Sequence, residues 1–165
     1  DDRFILGNAF NEGIRKLEQF DLIYDILIYE RQLAPSIEFV DLHPNLSFVL
    51  DHVAKPRIGD GVMDPWKAQM FEMARRENVT CKLSGMATEA NWTEWTLDGL
   101  RPYMEVALDA FGPNRLMFGS DWPVARLAVD YGPWVSLCRE FISTLSPHER
   151  EALEGGNAIR AYRLD

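Results

Sequence analysis

The chain lacks the features that define several large classes of protein. No stretch approaches the roughly 20 apolar residues of a membrane-spanning helix, so insertion into a bilayer is not expected. No block of lysine and arginine interrupts a formal net charge of −9. That argues against a nucleic-acid partner, because phosphate binding needs a basic face. The two cysteines, Cys81 and Cys138, lie far apart and form no Cys-x-x-Cys pair. Each reads as a small buried hydrophobe, and unpaired thiols suit a cytoplasmic protein. The chain opens Asp-Asp-Arg, without a secretory signal or an initiator methionine, which hints at truncation. Gly-x-Gly-x-x-Gly and Gly-x-x-x-x-Gly-Lys-Ser/Thr are both missing, and with them the nucleotide signals of open parallel sheets. Ser84 has no evident base nearby and no Ser-His-Asp or Cys-His arrangement is recognisable, so attack by water fits better than attack by a protein nucleophile.

The 165 residues, 47% hydrophobic and 26% charged, suffice for one globular domain with a sizeable core. Phe10, Ile14 and Leu17 stripe a helix over Asn8 to Phe20. Leu22 to Ile28 is a near-continuous apolar run, the pattern of a strand covered on both faces. Helix resumes near Arg31, with Leu33, Ile37 and Val40 in step, and a second strand spans Ser47 to His52. Asp64 is expected to cap a helix with Pro65 at its first position, and Trp66, Met70, Met73 and Ala74 form its apolar stripe. Val79 to Leu83 is the third strand. A helix near Pro102 to Phe111 and a strand from Arg115 to Gly119 follow.

The tail is helical, with Trp134, Leu137, Phe141 and Leu145 on one face and a Ser146-x-x-Glu149 capping box. Gly155-Gly156 should stop that helix, and Asn157 should cap a last one. Strands starting about 25 to 35 residues apart demand helical crossovers, hence a parallel α/β sheet. With no nucleotide signal, a barrel is favoured over an open doubly wound sheet.

Two strands end in residues able to do chemistry, where parallel sheets build their active sites. Phe48-Val-Leu-Asp-His delivers His52, and Leu116-Met-Phe-Gly-Ser-Asp delivers Asp121. Each has a bland alternative: a histidine bonded to a backbone carbonyl, or an aspartate forming a turn. Their pairing at strand ends points instead to an imidazole that polarises a carbonyl or binds a metal and a carboxylate that accepts a proton from water. Lys55, just past His52, is a candidate for an anionic substrate group. Trp122 and Tyr29 are candidates for the pocket wall, and Trp122 suits the core equally. Trp92 and Trp95 suit the pocket or the core equally. Lys82 and Asp25 interrupt apolar strands, and an ion pair between them would explain both. His43, at a helix end before Pro44, and His148, in an exposed first turn, read as surface residues.

Four ordered segments carry a resemblance: Phe48-Val-Leu-Asp-His-Val-Ala-Lys-Pro56, Cys81-Lys-Leu-Ser-Gly-Met86, Leu116-Met-Phe-Gly-Ser-Asp-Trp-Pro-Val124 and Gly156-Asn-Ala-Ile-Arg-Ala-Tyr162. Together they resemble the amidohydrolase-related TIM-barrel hydrolases, closest to the sugar-lactonase branch with its L-fuconolactonase-like, L-rhamnonolactonase-like and 2-pyrone-4,6-dicarboxylate lactonase-like members. The resemblance implies a (β/α)8 barrel. Residues 1–165 would form the C-terminal portion of its single domain, with strands five to eight and about four βα units of a partial barrel. It implies hydrolysis of a lactone to a hydroxy acid, with Asp121 as general base and His52 polarising the carbonyl. The family's strand-one His-x-His pair, a metal-binding element in the wider superfamily, is absent from the chain. No metal site is therefore expected from these residues alone. Were the complete protein to hold one divalent metal, such as zinc, His52 and Asp121 would be its ligands here. Residues 1–165 alone are then expected to be inactive. The rival readings are a metal-dependent amidase or decarboxylase of the same superfamily, and a half-barrel that associates with a partner or a second copy through open sheet edges.

Overall fold

The computed structural model describes residues 1–164. Helix α1 (Asn8–Gln19) leads to strand β1 (Tyr24–Ile26), then α2 (Leu33–Asp41), β2 (Phe48–Leu50), α3 (Trp66–Ala74), β3 (Val79–Leu83), α4 (Leu97–Phe111) and β4 (Leu116–Phe118). Helices α5 (Tyr131–Phe141), α6 (Pro147–Glu151) and α7 (Asn157–Tyr162) complete the chain. Each crossover places a helix between consecutive strands, so all pairings are parallel and the order is β1-β2-β3-β4. A doubly wound sheet reverses its strand order part-way. This one does not, as one arc of a barrel requires.

The alternation of β3, with Val79, Cys81 and Leu83 buried and Thr80 and Lys82 half-buried, separates two faces. The outer face packs on α2, α3 and α4 through Ile26, Phe48, Leu50, Leu83, Met70, Met73, Leu100 and Met104. An edge-to-face chain of Phe10, Tyr24, Phe39 and Phe48 seals α1 and α2 against β1 and β2. On the other face, Lys82 Nζ lies 3.2 Å from Asp25 and 2.5 Å from Asp51. Tyr162 donates to the same Asp25 at 2.8 Å. The expected Lys82–Asp25 pair thus forms, and α7 straps it from below. Cys81 and Cys138 are both buried free thiols. Among the described residues, no helix is long and apolar enough to cross a membrane.

Several expectations need correction. Strand β1 is only three residues long, with Leu22 and Leu27 at 50% and 59% exposure; the apolar run overstated its burial. Pro65 itself takes the cap position of α3, and Asp64 makes no capping bond. Helix α4 begins at Leu97, five residues before Pro102, where the Thr96 hydroxyl accepts from Gly99 N at 3.1 Å. Gly155-Gly156 does not stop the tail helix. The chain passes through a π-helical turn at Ala152–Gly156 directly into α7. Asn157 is not a cap; it is buried and donates to the carbonyls of Pro113 and Leu116. His43 is also buried, at 2% exposure, with Nε2 2.7 Å from Asn11 Oδ1. Its ring completes the aromatic seal beside Phe39.

Candidate active site

The chain reverses sharply where β2 ends. His52, Val53, Ala54 and Lys55 all have positive φ, at 53°, 47°, 58° and 50°. Left-handed backbone costs a non-glycine residue about 1–2 kcal/mol, and four in succession persist only if their surroundings over-determine them. Here Val53 and Ala54 are fully buried. Trp66 Nε1 donates to Val53 O at 2.7 Å, and Lys55 N donates to His52 O at 2.8 Å. The reversal swings the His52 ring over the sheet towards β4.

Asp121 meets it from the loop after β4. That residue also has positive φ, 53°, and its carbonyl accepts from Ala125 N at 2.8 Å. His52 Nε2 and Asp121 Oδ1 are 3.5 Å apart, with side chains 16% and 11% exposed. A charge-assisted hydrogen bond would be about 2.7–2.9 Å. Neither group is therefore saturated by the other, and each keeps a small exposed fraction.

Two glycines make this approach possible. Gly85 has φ of +66°, and a Cβ there would sit 2.8–2.9 Å from the His52 ring and its Cβ. At Gly119 a Cβ would lie 2.8 Å from Lys82 Cγ and 2.9 Å from Ser84 Cβ. Behind the ring, His52 Nδ1 lies 2.7 Å from Ser84 Oγ. This corrects the sequence reading that Ser84 has no base nearby: Ser84, His52 and Asp121 form a line. Ser84 is fully buried, however, so its hydroxyl supports the ring and is not an accessible nucleophile.

Burial sets the electrostatics. It lowers the His52 pKa, against the opposing pull of Asp121 and Asp51. It raises the Asp121 pKa, against the opposing charges of His52 and Lys55. Burial also disfavours the Lys82 charge, yet its bonds to Asp51 and Tyr162, with Asp25 nearby, leave its pKa raised overall. Lys82 is thus a fixed cation beneath the site.

Lys55 Nζ pairs with Glu89 Oε1 at 2.9 Å and lies 5.4 Å from the centre of the Tyr29 ring. The structure therefore groups His52 with Asp121, and Lys55 with Tyr29. Trp122, 62% exposed, follows Asp121 in sequence, and its backbone N–H donates to Ser120 Oγ at 3.2 Å. Glu89, in the segment after β3, has no counterpart among the residues the sequence singles out, and Ser84 stands there only as a serine without a base. Trp92 is 49% exposed, whereas Trp95 is half-buried and donates to Ala128 O at 2.9 Å.

Among the described residues no group of three His, Cys, Asp or Glu side chains could hold a metal ion. His52 and Asp121 offer two donors, short of the three or four of a zinc site.

A family model described as amidohydrolase matches residues 2–164. The chain belongs to the amidohydrolase family. It is 42% identical to the L-fucono-1,5-lactonase of Burkholderia multivorans, over 98% of this chain and 58% of that protein. Against the L-fucono-1,5-lactonase of Burkholderia ambifaria it is 40% identical, over 100% of this chain and 58% of that protein. A crystal structure of an amidohydrolase from Burkholderia multivorans with bound zinc superposes with a TM-score of 0.95 at 42% identity. The match covers 99% of this chain and 60% of that one. The chain thus spans about 58% of the length of the lactonases it matches, and its four βα units are of the TIM-barrel type that the amidohydrolase resemblance implied.

Proposed function

We propose that this amidohydrolase-family chain carries the water-activating half of a sugar-lactone hydrolase, corresponding to strands five to eight of its barrel. The carrying observation is the His52–Asp121 pair, placed 3.5 Å apart by the carboxyl ends of β2 and β4. Asp121, as carboxylate, takes a proton from water as the oxygen attacks the lactone carbonyl. His52 donates a hydrogen bond to the carbonyl oxygen as negative charge builds there. The ring C–O bond then breaks, the ring oxygen takes up a proton, and the product is a hydroxy acid.

The Lys55–Glu89 pair offers one donor and one acceptor beside this centre, and the Tyr29 ring forms an apolar side. We assign these groups to the sugar hydroxyls. Since Glu89 already balances the Lys55 charge, a polar neutral group fits there better than an anion. Trp122, exposed beside Asp121, supplies a further wall. A divalent metal, if bound, would find Asp121 Oδ1 as a donor from this chain, and His52 Nε2 only in the tautomer that leaves that nitrogen without a hydrogen.

The test is acid release from L-fucono-1,5-lactone by the full-length gene product, followed with a pH indicator. Hydrolysis that Asp121→Asn reduces by about 10²–10⁴-fold is the expected outcome. No hydrolysis, or an Asp121→Asn rate near wild type, overturns the reading. Residues 1–165 alone are expected to turn over lactone negligibly.

A further inference from the structure

His52 meets the pocket through Nε2, and what that nitrogen can do is set by the bond its other nitrogen makes. Nδ1 lies 2.7 Å from Ser84 Oγ. Ser84 immediately follows β3, is fully buried, and among the described residues its hydroxyl has no other hydrogen-bond partner. Two arrangements satisfy that distance. Either Nδ1–H donates to Oγ and Nε2 is a bare lone pair, or the Ser84 hydroxyl donates to Nδ1 and Nε2 carries the hydrogen. The first leaves the serine hydrogen buried without an acceptor, which is costly. The second pairs both groups.

We propose that Ser84 is a positioning residue that holds His52 as the Nε2–H tautomer, so the ring faces the pocket as a hydrogen-bond donor. The surrounding backbone prevents the ring from escaping this assignment. Gly85 passes so close that a Cβ would strike the imidazole, and Gly119 lies as close to Ser84 Cβ. Asp121, at 3.5 Å, is too distant to consume the Nε2 hydrogen. That hydrogen therefore remains available to a carbonyl oxygen. A lone pair at Nε2 would instead present the site to a cation, so the serine decides which chemistry the imidazole offers. The catalytic consequence rests on the lactonase reading; the tautomer does not.

Histidine 15N–1H correlation spectra of the full-length gene product at neutral pH test the proposal, with His52 identified by loss of its signals in His52→Gln. The expected spectrum shows Nε2 protonated and Nδ1 unprotonated but accepting a hydrogen bond. A protonated Nδ1 overturns the proposal without recourse to any serine variant. Ser84→Ala should move the Nδ1 resonance to that of a nitrogen accepting no bond and lower kcat by about 10–100-fold, the usual effect of losing a histidine's orienting partner, with little change in KM. Ser84→Thr, which keeps the hydroxyl, should restore both. An Nδ1 resonance unmoved in Ser84→Ala also refutes the assignment. If the wild type shows no lactone turnover but the expected spectrum, the functional reading fails and the tautomer assignment stands.

Discussion

At the amino ends of the strands, polar side chains tie down backbone carbonyls; at the carboxyl ends, the backbone is strained and polar side chains point at one another. Arg115, just before β4, donates to the carbonyls of Arg76, Val79 and Ala74 at 3.0, 3.1 and 2.7 Å. Asn78, just before β3, donates to Leu46 O at 2.8 Å, and Asn157 binds two carbonyls beneath β4. Each is a buried or half-buried donor meeting an acceptor that helix and sheet leave free, a pattern that adds stability and does no chemistry. Across the sheet, five non-glycine residues of the site loops, His52 to Lys55 and Asp121, have positive φ. There the imidazole and the carboxylate stop short of a hydrogen bond. In α/β barrels the first end carries stability and the second carries catalysis, and the variants that follow separate the two.

The largest effect belongs to the carboxyl end. Asp121→Asn removes the proposed proton acceptor and should lower kcat/KM of the full-length gene product for L-fucono-1,5-lactone by about 10²–10⁴-fold. Its melting temperature should not fall, because burial already disfavours the Asp121 charge. A large loss of stability alongside the lost rate would mean that Asp121 holds the fold, and the division between the ends would fail.

Arg115→Ala is the converse. Loss of three charge-assisted bonds to carbonyls should cost about 2–4 kcal/mol, measured by urea denaturation, while kcat of the folded protein stays near wild type. A cost below about 0.5 kcal/mol would show that water replaces the guanidinium freely, and the amino end would not be the stabilising one.

The sequence shows these two regions unequally. Strand β3 is legible residue for residue, because Val79, Cys81 and Leu83 alternate with Thr80 and Lys82 on a sheet with distinct faces. His52 and Asp121 are legible as strand-end residues. Nothing local announces Ser84 as the partner of His52, since 32 residues separate them and only the crossover brings them together. The left-handed turn after β2 is equally silent, because no glycine marks it and burial of Val53 and Ala54 enforces it. His43 could have been found: it stands four residues after Phe39, just past the end of α2, and the aromatic stripe continues through the imidazole.

His43 gives the amino end a pH signature. Burial, with Arg15 nearby, lowers its pKa below the ordinary 6.5. The folded protein then prefers the neutral ring, whose Nε2–H can donate to Asn11 Oδ1. The contribution is fully present above pH 6.5, where the unfolded ring is also neutral, and is lost as pH falls towards the folded pKa. Unfolding free energy should decline below pH 6.5 with a His43 share no steeper than about 1.4 kcal/mol per pH unit. His43→Gln should flatten that share; an unchanged slope would assign it to carboxylates.

The smallest effect discriminates most sharply between the two ends, because the same substitution is expected to act differently in two fully buried places. Ala107, inside α4, loses a buried methyl and gains backbone freedom on replacement by glycine. Ala107→Gly should cost about 1–2 kcal/mol. Ala54 is just as buried but has φ of +58°. Ala54→Gly forfeits a similar methyl, about 0.8 kcal/mol, yet relieves about 1–2 kcal/mol of left-handed strain, so its net effect should lie near zero. Equal costs at the two positions, measured by denaturation, would mean that the turn after β2 is not strained. The site would then owe its geometry to packing alone, and the His52 ring would be held by Ser84 and Gly85 without help from the backbone that delivers it.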